Sequence, residues 1–181
     1  MKTGIALDTE TTDLLAPELA DLIHQPFITE IYICKFDLDT FRIVDEINSL
    51  VNIPINVPDH ITKITGITDF MLEGKPVFSE LVDDIIELCK GSDLVVGHNL
   101  MFDLDVLRHN MRRSNDEDRY PEFSEMICTI ERSKCIKRRR LKLGQLYQMA
   151  TGLYHDGAHR AKADVVATIQ CYKFLVNEGY I

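Results

Sequence analysis

Paired cysteines are missing from this sequence. Its five cysteines, at positions 34, 89, 128, 135 and 171, are odd in number and include no C-x-x-C spacing. That excludes a disulfide framework or a zinc knuckle as the basis of the fold, and no disulfide-linked partner is expected. Cys34, Cys89 and Cys171 fall within apolar patterns, where a reduced cysteine behaves as a small hydrophobic residue. No apolar run approaches membrane-spanning length. Met1-Lys2-Thr3-Gly4 lacks the apolar stretch of a signal peptide. A soluble, cytoplasmic protein with no membrane partner is therefore the expectation. Internal repeats, low-complexity tracts and linkers are absent as well. Positive charge is in short supply, with 20 Lys and Arg against 29 Asp and Glu and a net charge of −9.

What remains describes an ordinary globular chain. Its 181 residues, 45% hydrophobic and 27% charged, fit one domain spanning 1–181 and large enough to bury a core. The charge deficit is uneven. From Arg132 to Lys142 there are seven Lys or Arg and no acid, a density suited to phosphate contact on an otherwise acidic surface that discourages nonspecific binding.

The first apolar run, Ile5-Ala6-Leu7, leads directly into Asp8-Thr9-Glu10-Thr11-Thr12. If this is a strand, Asp8 and Glu10 lie two positions apart and project from the same face. Two further acids occur in similar settings. Asp103 follows the strand-like Leu94-Val95-Val96-Gly97-His98-Asn99, and Asp164 follows His159-Arg160-Ala161-Lys162-Ala163, where a helix begins. Converging carboxylates is unfavourable, since two unit charges about 4 Å apart cost on the order of 4 kcal/mol at an effective dielectric near 20. A raised pKa or a divalent cation offsets that cost. Oxygen donors select hard ions, Mg2+ or Mn2+ over zinc.

Asp8-Thr9-Glu10-Thr11-Thr12, then His98-Asn99-Leu100-Met101-Phe102-Asp103, then His159 and Asp164 five positions later, resemble in order and spacing the three motifs of the DEDDh, or DnaQ-like, 3′-5′ exonucleases. That family includes the proofreading epsilon subunit of bacterial DNA polymerase III. Ile61 to Pro76 is similar to the family's connecting segment. The resemblance implies an α/β, ribonuclease H-like fold: a mixed sheet, with a three-strand meander followed by parallel strands, flanked by helices. It implies two Mg2+ or Mn2+ ions, with Asp8 bridging them, Glu10 and Asp164 completing the first site and Asp103 supporting the second. His159 would be the general base, the substrate a nucleic-acid 3′ end, and the products nucleoside 5′-monophosphates. Thr11, Thr12, Leu14, Asn99 and Phe102 are the expected substrate contacts, with Leu14 and Phe102 apolar enough to stack on a terminal base.

Two positions depart from the family pattern. Asp13 stands where many relatives have Gly, and Thr65 where many have His, which bears on substrate preference and leaves the hydrolytic reaction in place. DNA, single-stranded by preference, is the expected substrate, in proofreading or repair. The alternatives are an exoribonuclease of the oligoribonuclease or ribonuclease T type and a module that works by binding a DNA polymerase. Because the chain ends soon after Asp164, without a tail of the kind epsilon uses for its polymerase, a stand-alone nuclease, or one recruited to a DNA polymerase through its own surface, is expected.

Periodicity orders the remaining chain. Residues 16–26 are read as a loop, and Ile28 to Phe36 and Ile43 to Val51 as strands on either side of a turn at Asp37-Leu38-Asp39-Thr40. One or two short helices are expected within Ile61 to Leu72. Phe78, Leu81, Val82, Ile85, Ile86 and Cys89 predict one amphipathic helix bounded by Pro76 and Gly91. Leu94 to Val96 should be a buried strand parallel to the first, followed by a helix from about Met101 to Arg113. Residues 114–125 are read as a charged surface loop, and a short strand is expected near Met126 to Ile130. A helix through Leu143, Leu146, Tyr147 and Ala150 should stop at Gly152, and a last one should run from about Lys162 to Asn177. On a single helix His159 and Asp164 would point about 140° apart, so His159 is placed on the loop before it.

Overall fold

The structure, a computed structural model, describes residues 2–17 and 19–181. Met1 and Glu18, the latter within the expected loop 16–26, lie outside the described residues. Five strands form one mixed sheet in the order β3-β2-β1-β4-β5: β1 (Thr3–Thr11), β2 (Ile28–Asp37), β3 (Ile43–Leu50), β4 (Leu94–Gly97) and β5 (Glu125–Cys128). The first three make the expected antiparallel meander, while β4 joins β1, and β5 joins β4, in parallel. β1 is thus the central strand.

Side-chain alternation splits the core into two layers. On one face Ile5 and Leu7 of β1 and Ile31 and Ile33 of β2 pack against α3 (Val82–Cys89) and α4 (Leu100–Arg113). On the other, Ala6, Tyr32, Cys34, Phe36 and Val96 meet Ala161, Val165 and Ile169 of α8 (Ala161–Asn177). α3 lies in the crossover that a parallel β1–β4 pair requires, and α8, which follows the last strand, covers the opposite face. The arrangement is the α/β mixed sheet that the motifs implied.

Some elements differ from the periodicity. Residues 78–89 are not one helix: Phe78–Glu80 form a 3-10 turn that precedes α3. Glu80 reaches back to accept the Val77 N–H at 3.0 Å, tightening the first turn. Residues 61–72 carry two short helices, α1 (Asp59–Thr65) and α2 (Asp69–Leu72). Thr129 and Ile130, read as the end of a strand, instead open α5 (Thr129–Arg132), and the basic run, to which the pattern assigned no structure, continues from it into α6 (Lys134–Lys137). Buried Ser133 folds it into a hook, donating to the Ile130 carbonyl at 2.7 Å and accepting the Leu141 N–H at 2.9 Å. α7 (Leu143–Thr151) ends, as expected, at Gly152 with φ 78°, a conformation that other residues adopt at a cost. Among the described residues no helix is long and apolar enough to cross a membrane.

Candidate active site

β1 continues the alternation that buries Ala6, so Asp8 and Glu10 point to the α8 face of the sheet, beyond the apolar layer. Directly after Glu10 the pairing with β2 slips by one residue, a bulge of the kind that ends a ladder and re-aims side chains. Thr9 points to the opposite face. Its amide and hydroxyl both donate to Asp103 Oδ1, at 3.0 and 2.8 Å. Asp103 lies in the first turn of α4 and is 3% exposed, whereas Asp105 is only partly buried. Of the two acids, Asp103 is therefore the one held against β1.

The turn from β4 into α4 leaves little room. A Cβ on Gly97 would come within 2.9 Å of Leu100 Cδ1, and Asn99 opens the helix with φ 70°. Beside it, His98 Nδ1 lies 2.8 Å from Thr129 Oγ1. Burial lowers its pKa to about 4, so this imidazole is neutral near pH 7.

The third group arrives from α8. Asp164 is in the helix's first turn, and exposed His159 precedes the helix on the loop with φ 67°. Ligand atoms of Glu10, His159 and Asp164 all lie within 4.8 Å of one another. Asp8 and Asp103 fall outside that triplet and are tied to it by charge. The Asp8 carboxyl is held well above the usual carboxylate range, first by burial and then by repulsion from Asp103, Asp164, Glu10 and Glu30. Glu10 is pushed up to about 8 by burial and by Asp164, Glu30 and Asp103, with Arg160 opposing. Asp103 rises to about 7 through burial, against the lowering effect of the Thr9 hydrogen bonds.

Three residues that the motifs did not single out complete the surroundings. Glu30 on β2 sits directly across from Glu10. It accepts from Arg160 Nε and Nη2 at 3.0 and 2.7 Å, and from the Ala161 amide at 3.1 Å. A buried carboxylate from the neighbouring strand thus caps the N-terminus of α8, where negative charge is favoured. His155 Nε2 lies 2.5 Å from Asp164 Oδ1. The pairing register would have revealed Glu30, and no sequence spacing reports it; His155 stands nine residues from its partner across an irregular loop.

The expected substrate contacts divide. Leu14 is 76% exposed and Asn99 is exposed, while Phe102 is partly buried against the α3–α4 layer. Thr11 and Thr12 are buried, the first donating its hydroxyl to the Asp13 carbonyl at 2.7 Å and the second accepting the Phe27 N–H at 3.0 Å. Both hydroxyls are already engaged by backbone. Asp13 makes its own turn, accepting the Leu14 N–H at 2.7 Å. Thr65 is likewise occupied, donating to the Ile61 carbonyl at 3.0 Å and accepting the Ile67 N–H at 3.1 Å.

The basic run abuts this end of the sheet. Lys142, Gln145, Gln148, Tyr154, His159 and Asp164 line one cleft of about 460 Å3. Glu131, just before the run, pairs with its Lys134 and Arg140. Among the described residues, Lys137, Arg138, Arg139 and Lys142 form no ion pair. A separate apolar pocket of about 340 Å3, between Phe27, Val51, Pro54 and Phe78, contains none of the motif carboxylates.

An oxygen-rich donor set with one imidazole at its edge, carrying raised carboxyl pKa values and little positive charge of its own, suits a hard divalent cation. Comparison with known proteins agrees with the motifs. The DNA polymerase III epsilon subunit of Treponema pallidum is 29% identical over 175 residues, covering 94% of this chain and 75% of that protein. A PolC-type DNA polymerase III of Clostridium perfringens is 27% identical over 133 residues, 74% of this chain and only 9% of that protein. E. coli Exonuclease I, solved in complex with a dA16 oligonucleotide, superposes with a TM-score of 0.77 at 20% identity, over 98% of this chain and 41% of that one. Residues 5–172 match the RNase T family, described as exonuclease, and the chain belongs to that family as a DnaQ-like 3′-5′ exonuclease domain.

Proposed function

We propose that this domain removes nucleotides one at a time from the 3′ end of DNA, releasing nucleoside 5′-monophosphates with the help of Mg2+ or Mn2+. The observation that carries this reading is the convergence of Glu10, His159 and Asp164, whose ligand atoms all lie within 4.8 Å of one another, with the Asp8, Glu10 and Asp103 carboxyls raised by burial and by their neighbours' charge. Carboxylates pressed together without a matching cation are costly, and a bound divalent ion relieves them. Asp8, Glu10, Asp103 and Asp164 would hold the ions, which supply charge neutralisation at the phosphate and activation of water. His159, exposed at the rim, takes the proton of the attacking water through its imidazole. Leu14 and Phe102 flank the terminal base, with Asn99 beside them.

The strand approaches along the cleft between Lys142 and His159, with Lys137, Arg138 and Arg139 contacting its phosphates. Similarity to epsilon supports a proofreading setting and association with a DNA polymerase. The test is to incubate the purified protein with end-labelled single-stranded DNA, mismatched duplex and RNA, with Mg2+ or with EDTA. Stepwise shortening of DNA from the 3′ end in Mg2+ alone is expected. Equal shortening in EDTA would refute the metal role, and shortening confined to RNA would replace DNA with the oligoribonuclease type of activity.

A further inference from the structure

We infer that His155 is a positioning residue that holds Asp164 in the orientation needed to bind a cation. Asp164 is gripped at both oxygens: Oδ1 by His155 Nε2 at 2.5 Å, and Oδ2 by the backbone amide of His159 at 3.2 Å. Since a carboxylate only accepts, the His155 ring carries its proton on Nε2 and donates it. The side chain is 7% exposed, and its ring lies against Tyr147 of α7, with centroids 5.6 Å apart and planes tilted by 55°. The donor is therefore aimed by packing between α7 and α8, the helix pair that closes this side of the site.

A carboxylate offers about four acceptor positions, so a hydrogen bond to Oδ1 leaves lone pairs on both oxygens for a cation. Fixing the rotamer in advance spares the entropy of ordering it on binding, which is how hydrogen-bonded neighbours of metal ligands raise affinity. His155 and the His159 amide come from one short loop, residues 153–160, so the same segment presents the proposed base and fixes the ligand. Neither the motif pattern nor the family's three motifs include position 155.

This inference rests on Asp164 as a cation ligand, and the experiment separates the two claims. Mn2+ binding to the full chain is measured by the loss of free-Mn2+ EPR signal for wild type, His155→Phe, His155→Gln and Asp164→Asn, with folding checked by circular dichroism. His155→Phe keeps a ring against Tyr147 and removes the donor; His155→Gln keeps an amide donor and removes the ring. The expected result is a loss of about tenfold or more in Mn2+ affinity for His155→Phe and of less than about threefold for His155→Gln. Wild-type affinity in His155→Phe, or equal losses in both variants, overturns the positioning role. Unchanged affinity in Asp164→Asn overturns the cation reading itself.

Discussion

Replacing Glu10 by Gln, which has the shape of the protonated side chain and cannot ionise, should stabilise the metal-free protein at high pH. Glu10 titrates near 8 in the folded chain against an ordinary value of 4.5. Below pH 4.5 the side chain is protonated whether folded or unfolded, and nothing is lost. As pH rises from 4.5 toward 8 the unfolded chain ionises freely while the folded one resists. The wild type therefore loses stability across that window through Glu10 as well as through Asp8 and Asp103, and the Gln variant, which keeps only the last two, loses less. At about 1.4 kcal/mol per pH unit, the gap sets an upper bound of roughly 5 kcal/mol. Glu10 is partly exposed, and solvent screening lowers this to about 1–3 kcal/mol, or about 3–10 °C in melting temperature for a chain of this size. Thermal unfolding in EDTA at pH 8.5 and pH 4.5 measures it. The variant should melt higher at pH 8.5 and alike at pH 4.5, and Mn2+ should raise the wild-type melting temperature at pH 8.5 by more than it raises that of the variant. A variant that melts lower than wild type at pH 8.5 in EDTA would refute the view that burial and the neighbouring carboxylates disfavour an ionised Glu10 in the folded chain.

The Glu30–Arg160 pair should respond unequally to loss of either end. Arg160→Ala strands a carboxylate that is 4% exposed beside Glu10 and should cost about 3–5 kcal/mol. Glu30→Gln keeps an acceptor for the Ala161 amide and leaves an Arg160 that is 47% exposed in reach of water, costing about 1–3 kcal/mol; urea unfolding that ranks them the other way contradicts the clamp. Neutralising Lys137, Arg139 and Lys142 together to Gln should reduce the slope of log affinity against log salt for single-stranded DNA by about 2, from about 0.7 per phosphate contact. An unaltered slope removes the basic run from the interface. His159→Ala should lower the hydrolytic rate by about 10²–10⁴-fold at an unchanged melting temperature, and full turnover would take His159 out of the reaction.

The parts of the site that were legible lie on regular elements. Two-residue alternation carried Ala6 into Asp8 and Glu10, and the angle of about 140° that one helix would put between His159 and Asp164 placed His159 on the preceding loop. Illegible were the groups brought in by pairing and by irregular backbone. Glu30 is polar within a strand whose other residues are mostly apolar, and only the β1–β2 register sets it opposite Glu10. His155 precedes the third motif and Arg160 lies inside it, but their partners depend on how residues 153–160 turn. The split at Leu81 and the short helices on either side of Ser133 escaped for a similar reason: each is accompanied by local side-chain hydrogen bonds, accepted by Glu80 from the Val77 N–H and made in both directions by the Ser133 hydroxyl, that no apolar period records. Thr11 and Thr12 showed a polar pattern at a strand end without showing that backbone already uses both hydroxyls.

The central claim is that side chains from β1, α4 and α8 jointly hold divalent cations. Crystals grown with Mn2+ and measured for anomalous scattering test it most directly. Density within ligand distance of Asp8, Glu10 and Asp164, with Asp103 alongside, is the predicted result. Saturating Mn2+ with no anomalous peak among these four carboxylates would contradict it.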